Sequence, residues 1–577
     1  MQNVQDLGLI SAALRPLLAL LVVATACGPV ESPTTRPAES VPTSALKIVT
    51  IGTITEPNSF GAIGGESQIA GAHGTVTHIV EDGVTARTEG GGTEPRLATQ
   101  LPSTESGTWT INPDGTMDTV WRLRSGVKWH DGTPFTSADV LFRFTVEGDT
   151  ELVPRRMGGG RGRPDLMQSA SAPDPLTFVV RWSQVYVGAN EGDYLGALPR
   201  HLLNDLYVDD KHALARSPYF FDDYVGLGAF KLDRWERGSH MEFSRFDDYY
   251  LGRPLLDRVI VKFIPDSNTL IANILAGNVD VVVPEEGDID AAFEVRQRWE
   301  GTGNQVRFDI IDGLEQIQMQ HQPQYSRPLY GFTDRKVRQA LYQAVDRQAL
   351  VELMTQGVST PADSWYKPTD PVRKDVEGYI PQFPYDPAAA VRLLEEQGWA
   401  RGGDGVLVHR PSGERFETEM TVRRGAAPLR MGLVISDQWK AIGVSMDVTP
   451  LTPATSLPEA FATQPGPSLI SPSGYNFYDR RLWSAGIPTA QNRWVGNNRG
   501  AYNNPNVDAI LDKLAVTIDE RERINLHREL LREQMGDIAL MPLYWQVSSI
   551  LMLKGVTGPK NHGSGEATPN IYQWDKR

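Results

Sequence analysis

The sequence predicts an α/β protein with more than one domain. Its 577 residues exceed the roughly 100–200 residues that one domain usually holds. A strand–helix–strand unit indicates the α/β class, because residues 259–264 and 279–283 are apolar and extended on either side of a helix over 268–276. Gly277 is a natural C-cap for that helix. A crossover of this kind joins parallel strands.

The first 45 residues predict export. Residues 16–26 are apolar but too short for a membrane-spanning helix of about 20 residues, and they fit the core of a secretory signal. Ala-Thr-Ala before Cys27 resembles a lipobox, in which the cysteine is acylated and becomes the mature N-terminus. A plain signal peptide with a chance cysteine is the alternative. Residues 28–45 are rich in Pro, Ser and Thr and predict a disordered tether.

A dense run of turns between residues 114 and 144 predicts short strands that lead into a helix. Thr136 is a good N-cap, and Asp139 completes a capping box. Phe135 and Val140 flank the box as a hydrophobic staple. The spacing predicts that the helix buries three apolar side chains, Val140, Leu141 and Phe144.

The rest of the chain predicts further α/β structure. Residues 47–53 are the first strand, and residues 226–246 alternate as a hairpin. Helices are expected over 334–354, from Pro387 to Trp399, over 431–442, after Asn504 and over 520–534. Residues 539–545 and 547–553 are apolar extended runs.

Composition and motifs favour a binding protein over an enzyme. A net charge of −15 argues against nucleic-acid binding, which needs a basic face. One cysteine excludes an intrachain disulfide or a multi-cysteine metal site, and the ten histidines lack ligand spacing, so no metal or cofactor is expected. Ser44 and Lys47 spell Ser-x-x-Lys without its companion motifs. We therefore expect no catalytic residues.

Several motifs resemble one family. The segment Arg-Ser-Gly-Val-Lys-Trp-His-Asp-Gly at residues 124–132, followed by the Thr136 cap and Ala-Asp-Val, resembles the signature of the family 5 extracellular solute-binding proteins. These are the peptide-, nickel- and oligopeptide-binding components of ABC importers. Asp-Tyr-Tyr-Leu-Gly-Arg-Pro at residues 248–254 and Gly-Asn-Val-Asp-Val at residues 277–281 resemble further blocks of that family.

The resemblance implies a two-lobed fold like that of periplasmic binding proteins, with an extra inserted domain. The lobes would be discontinuous and joined by a hinge of two crossovers, near Asp312 and Met541. The implied divisions are a lipoprotein signal peptide over 1–27, a tether over 28–45, lobe I over 46–80, 215–312 and 540–577, an inserted domain over 81–214, and lobe II over 313–539.

Candidate ligand-binding residues lie in irregular loops. Glu56, Asn58 and Ser59 follow the first strand and offer polar contacts. The family's oligopeptide receptors hold the ligand's amine with a carboxylate in lobe II, and Asp479 is the one carboxylate of the corresponding stretch. Pairing of Asp479 with Arg480 or Arg481 is an equal alternative.

Aromatic residues in loops suggest a pocket that stacks planar, apolar or sugar ligands. Each of these residues is also a candidate for ordinary packing. They are Trp365, Tyr366, Tyr475, Trp483 and Trp494.

The resemblance implies an extracytoplasmic, lipid-anchored monomer that captures peptides or peptide-sized solutes and delivers them to a membrane permease. ATP would be used by the partner subunits. A receptor of the same fold for oligosaccharides or other non-peptide solutes is one alternative. A secreted hydrolase is the other.

Overall fold

Strands and helices alternate through most of the chain in the computed structural model. The structure describes residues 45–60, 73–89, 92–152, 166–192, 195–214, 216–283, 289–470, 481–562 and 566–577. The strands are β1 (Ile48–Thr53), β2 (Thr85–Arg87), β3 (Thr93–Pro95), β4 (Trp109–Ile111), β5 (Met117–Arg122), β6 (Met167–Asp174), β7 (Thr177–Trp182), β8 (Phe230–Glu236), β9 (His240–Arg245), β10 (Arg258–Phe263), β11 (Val281–Val282), β12 (Gln305–Gln318), β13 (Trp399–Arg401), β14 (Leu407–His409), β15 (Glu417–Val422), β16 (Ser445–Pro450), β17 (Ser468–Ile470), β18 (Leu540–Met552), β19 (Val556–Thr557) and β20 (Asp575–Lys576).

The helices are α1 (His73–Val80), α2 (Ser137–Gly148), α3 (Arg200–Asp209), α4 (Lys211–Leu214), α5 (Ser267–Leu275), α6 (Ile289–Arg298), α7 (Leu329–Phe332), α8 (Arg335–Gln343), α9 (Arg347–Thr355), α10 (Arg373–Val376), α11 (Pro387–Glu396), α12 (Ala426–Ala441), α13 (Pro458–Ala462), α14 (Pro505–Val516) and α15 (Glu520–Asp537). Short 3₁₀ helices lie at Val187–Asn190, Pro218–Phe220, Glu377–Tyr379, Ser484–Gly486 and Ile571–Gln573. None of the helices in the described part of the chain is long and apolar enough to cross a membrane.

A ten-stranded sheet is built around β12 and β18, which pair antiparallel along almost their whole lengths. We call β11, β1, β10, β9 and β8, on one side of this pair, the first half-sheet, and β17, β15 and β16, on the other, the second half-sheet. The predicted crossover is confirmed, because β1 lies between β10 and β11 and runs parallel to both. The predicted hairpin is β8 and β9.

Apolar side chains form separate clusters on these elements. One cluster packs α8, α9, α11, α12, α14 and α15 against the second half-sheet, and another packs α1 and the C-terminal segment against the first. A third fills the four-stranded antiparallel sheet β4-β5-β7-β6, where Trp121, Trp129 and Trp182 are fully buried. The lobe and insertion boundaries given above stay a prediction.

The start of α2 has the predicted capping box. Thr136 is the N-cap, and Oδ2 of Asp139 accepts its backbone N–H at 2.8 Å. The staple residues Phe135 and Val140 are both buried. The short-range sequence pattern was sufficient here because capping joins residues three apart.

The predicted buried face of α2 was partly wrong. Leu141 and Phe144 are only partly buried, whereas Val140, Phe142 and Val146 are buried. The reason is that α2 lies between two clusters, with Val140 in that of the four-stranded sheet and Phe142 and Val146 in that of the first half-sheet.

His130 joins two backbone groups ahead of β8. Its Nδ1 accepts the N–H of Gly226 at 3.1 Å, so Nε2 carries the proton and donates to the carbonyl of Gly228 at 3.0 Å. Burial lowers the pKa of His130 to about 4, although the bond to Gly228 opposes this shift. Asp131 pairs instead with His201, at 2.7 Å. The adjacent His-Asp pair therefore has a structural role.

We expect His130 to make the protein less stable in acid. Its pKa rises from about 4 in the folded state to roughly 6.5 on unfolding, so its contribution is complete above about pH 6.5 and is lost as the pH falls through 4. Between pH 5 and 6, His130→Gln should reduce the proton uptake on unfolding by about one. Calorimetric melting across this range measures it.

The matched control is His212→Gln on the exposed surface of α4, which should leave the melting temperature unchanged. Equal proton uptake by wild type and His130→Gln would contradict the role given to His130.

Candidate functional site

The carboxyl ends of the parallel strands in both half-sheets point at the middle of the β12–β18 pair. In the first half-sheet, β11 runs antiparallel to β18, with Val281 opposite Met552 and Val282 opposite Leu551. In the second, β17 runs antiparallel to β12 and ends at Ile470, opposite Gln316. β1 and β10 run in the same direction as β11, and β15 and β16 run in the same direction as β17. The loops after all these strands therefore meet. Open α/β sheets bind ligands at such ends.

The long pair is irregular at this meeting point. Ile310 opposes Val547 and Leu314 opposes Trp545, so the three residues 311–313 face Gln546 alone. A Cβ on Gly313 would lie 1.7 Å from Oε1 of Gln546. Glycine is therefore required for the Gln546 side chain to lie across the bulge, a common reason for glycine within a strand.

Glu315 is the centre of a buried polar group at the bulge. Its Oε1 accepts hydrogen bonds from Nε2 of Gln546 at 2.8 Å and from Nη2 of Arg423 at 3.0 Å. Arg423 directly follows β15, so the group joins β12, β18 and one of the converging loops. The Glu315 side chain is 7% exposed and that of Arg423 is 39% exposed, which leaves the guanidinium at the solvent boundary.

A second buried charge pair adjoins the bulge. Asp312 forms an ion pair with Lys367, and both side chains are almost fully buried. Each charge needs the other, because an isolated charge in this environment would cost several kcal/mol. The pair ties β12 to the loop that follows the residues predicted as aromatic ligands, Trp365 and Tyr366.

The first half-sheet side of the pair is also polar. Asp309 lies opposite Ser548 and accepts hydrogen bonds from Nε of Arg307, at 2.7 Å, and from Nδ2 of Asn561, also at 2.7 Å. Ser548 and Gln546 are two residues apart on β18, so their side chains point to the same face of the sheet, which is also the face of Asp309 and Glu315. The middle of the pair thus offers charges of both signs on one face.

Helices from the two half-sheets touch beside this face. Nη2 of Arg430 on α12 donates to Oδ2 of Asp290 on α6 at 2.9 Å. Nη2 of Arg296, also on α6, donates to Oε1 of Gln356 at 3.4 Å. Both Arg430 and Asp290 are more than a third exposed, so we expect their pairing to contribute at most about 1 kcal/mol. Contacts this weak can be broken and remade.

The three polar candidates of the first loop have different surroundings. The carboxylate of Glu56 is occupied within the first half-sheet, because it accepts from Nε1 of Trp235 at 2.7 Å and from the N–H of Gly238 at 2.9 Å. Asn58 is exposed, whereas Ser59 is buried. All three follow β1 and so lie on the side of the converging loops.

The aromatic candidates that the structure describes have different surroundings. Trp365 and Tyr366 are buried in the cluster of the second half-sheet, and the Tyr366 hydroxyl lies 2.6 Å from Nδ1 of His527. Trp483 packs against the edge of that cluster, and Trp494 is half-buried with a positive φ of 61°. Tyr475, Asp479 and Cys27 lie outside the described residues, so their predicted roles stay predictions.

The sequence patterns did not predict four residues of the site, Glu315, Gln546, Arg423 and Lys367. Gly313 inside an alternating strand was the available signal, because glycine there often marks a bulge. Within the described ranges, no three His, Cys, Asp or Glu side chains are grouped to hold a metal ion.

Comparison with known proteins identifies the family. The model of the bacterial extracellular solute-binding proteins, family 5, matches residues 94–498. The chain belongs to this family.

Relatives within family 5 are named for different solutes. The chain is 25% identical over 480 residues to the oligopeptide-binding protein AppA of Bacillus subtilis (strain 168), covering 80% of this chain and 81% of AppA. It is 25% identical over 444 residues to heme-binding protein A of Haemophilus influenzae, covering 73% of this chain and 74% of that protein. NikZ of Campylobacter jejuni in complex with Ni(L-His) has the same fold, with a TM-score of 0.69 at 22% identity over 92% of this chain and 99% of NikZ.

We predict that Gly313→Ala destabilises the protein by about 1–3 kcal/mol. The new methyl group would displace the Gln546 side chain, and Glu315 would lose a hydrogen-bond donor while buried. Urea unfolding, followed by circular dichroism, measures the change.

Gly536→Ala is the control, because a Cβ at that position of α15 meets nothing within 4 Å. This variant should gain roughly 0.5–1 kcal/mol through helix propensity. If Gly313→Ala is as stable as wild type, the packing described at the bulge is wrong.

Proposed function

We propose that this family 5 protein is the extracytoplasmic solute receptor of an ABC importer. It captures a peptide or peptide-sized solute between its two half-sheets and delivers it to membrane permease subunits. The observation that carries the proposal is the convergence of loops from both half-sheets on the polar middle of the β12–β18 pair. A site formed by two halves encloses its ligand when the halves close.

The helix contacts beside the site support closure. α6 meets α12 and the end of α9 through hydrogen bonds at the surface. The long strands themselves continue through both halves, and the bulge at residues 311–313 interrupts their ladder, so bending there disturbs few backbone hydrogen bonds.

The charges of the site favour a peptide-like solute over a sugar. Arg423, Glu315, Arg307 and Asp309 provide both signs, which suits a zwitterion with amide groups. Stacking of sugar rings needs accessible aromatic faces, and Trp365 and Tyr366 are almost fully buried. Asn58, Trp483 and Trp494 stay available as contacts, and Asp479 and Tyr475 stay candidates. We propose a role in binding rather than catalysis.

We expect wild-type protein to bind short peptides at the site. Pooled peptides of two to nine residues should raise the melting temperature, change the tryptophan fluorescence and be retained after gel filtration for identification by mass spectrometry. Matched maltooligosaccharides and nickel–histidine are the comparison solutes. Binding of a comparison solute without any peptide would overturn the peptide assignment, and no response to any of them would count against a receptor.

We also propose that Cys27 carries a lipid anchor, with residues 28–45 as a tether to the folded chain, which acts as a monomer. Expressed in a bacterial host, the wild type should sediment with membranes and show an acyl mass increment, whereas Cys27→Ser should be found in the soluble extracytoplasmic fraction. Ser32→Ala in the tether is the control and should behave as wild type. Cleavage elsewhere, with an unmodified Cys27, would exclude the anchor.

A further inference from the structure

In the described part of the chain, two buried oxygen atoms at the bulge accept no hydrogen bond. Oε1 of Glu315 accepts the hydrogen bonds of both Gln546 and Arg423, whereas its Oε2 accepts none from the described residues. Oε1 of Gln546 is likewise without a partner among the residues that the structure describes. Nearly all buried polar atoms in folded proteins have a hydrogen-bond partner. Two partnerless oxygens on side chains that are hydrogen-bonded to each other therefore need an explanation.

The two oxygens belong to one acceptor unit. A hydrogen bond of 2.8 Å joins the amide NH₂ of Gln546 to Oε1 of Glu315, and it leaves Oε2 of Glu315 and the single amide oxygen of Gln546 unused. Gly313 clears the space for the Gln546 oxygen, since any side chain there would collide with it. The bulge, the glycine and the amide orientation together keep this acceptor in place.

A partner for this unit must bring more than one hydrogen. One peptide N–H could satisfy only one of the two oxygens, whereas an ammonium, a guanidinium or a carboxamide NH₂ carries at least two. Hydrogen bonds to a carboxylate are also stronger than neutral ones. A single water molecule also has two hydrogens and is the competing occupant.

The charges around the unit are balanced. Arg423 offsets Glu315, and Arg430 is paired with Asp290 on the neighbouring helices. Tyr544 lies opposite Glu315 in the strand pair, and its pKa is raised by burial and then by the charge of Glu315, so its hydroxyl stays protonated. Neutral and cationic donors are therefore both compatible with the unit.

We infer that Glu315 and Gln546 form a specificity subsite that accepts an NH₂- or NH₃⁺-bearing group of the solute. The subsite rests on the proposed function, because it lies where the loops of the two half-sheets converge. Solutes with a primary ammonium, a guanidinium or a carboxamide at the matching position should be bound in preference to apolar analogues of the same size.

The test uses tetrapeptides that carry lysine, glutamine or norleucine at each position in turn, with the amino end free or acetylated. Calorimetric titration of the wild type should show at least about tenfold tighter binding of a donor-bearing peptide than of its norleucine analogue. Glutamine against lysine separates neutral from cationic donors, and acetylation separates the terminal amine from a side chain.

Glu315→Gln should reduce this preference to less than about threefold, because the amide NH₂ replaces the unused oxygen. Glu417→Gln is the control, since Glu417 lies at the opposite end of β15 and pairs with exposed Arg415. If Glu315→Gln does not fold, the preference of the wild type for donor-bearing over norleucine peptides tests the subsite by itself.

If the wild type binds donor-bearing and norleucine peptides with equal affinity, the subsite is wrong but the receptor function is not. The same conclusion follows if Glu315→Gln keeps the preference for donor-bearing peptides. Equal affinity for donor-bearing and norleucine peptides, with a water molecule bound to the two oxygens, would show that the unit has only a structural role. If no tetrapeptide binds at all, the proposed peptide receptor and its subsite both fail.

Discussion

The antiparallel pairing of β12 with β18 holds the two half-sheets in one sheet. β12 carries the chain from the first half-sheet into the second, and β18 returns it. The parallel strands on both sides are oriented by this pair, so their carboxyl ends meet at its middle. A break in the ladder at residues 311–313 lies at the same point. Strand direction alone thereby places the interrupted ladder where the loops of both half-sheets converge.

Burial of charge at that point is tolerated only through specific partners. Asp312 and Lys367 are both almost fully buried, and Glu315 is buried beside the partly exposed Arg423. Each pair joins β12 to a different loop of the second half-sheet, so the loops are held in position by electrostatic attraction in a poorly solvated region. Departures from local packing rules are common at functional sites, because function needs polar groups there.

The sequence predicts local features well and distant partners poorly. The capping box at Thr136 and the crossover of β10, α5 and β11 depend on residues close in the chain, and both are present. Trp365 and Tyr366 lie in a loop, as predicted, but the N–H of Ala362 donates to the carbonyl of Leu543 on β18 at 3.0 Å, and both side chains are buried. Gln546 lies 231 residues from Glu315, so no local pattern joins them.

The most direct test of the account is the distance between α6 and α12 in solution. Spin labels on Glu294→Cys and Leu433→Cys, both exposed and one helical turn from Asp290 and Arg430, report it by pulsed electron paramagnetic resonance once Cys27 is replaced. We predict a broad distribution without solute and one shorter, narrow distance with a peptide shown to bind. A distribution that the bound peptide leaves unchanged would contradict closure of the half-sheets around the solute.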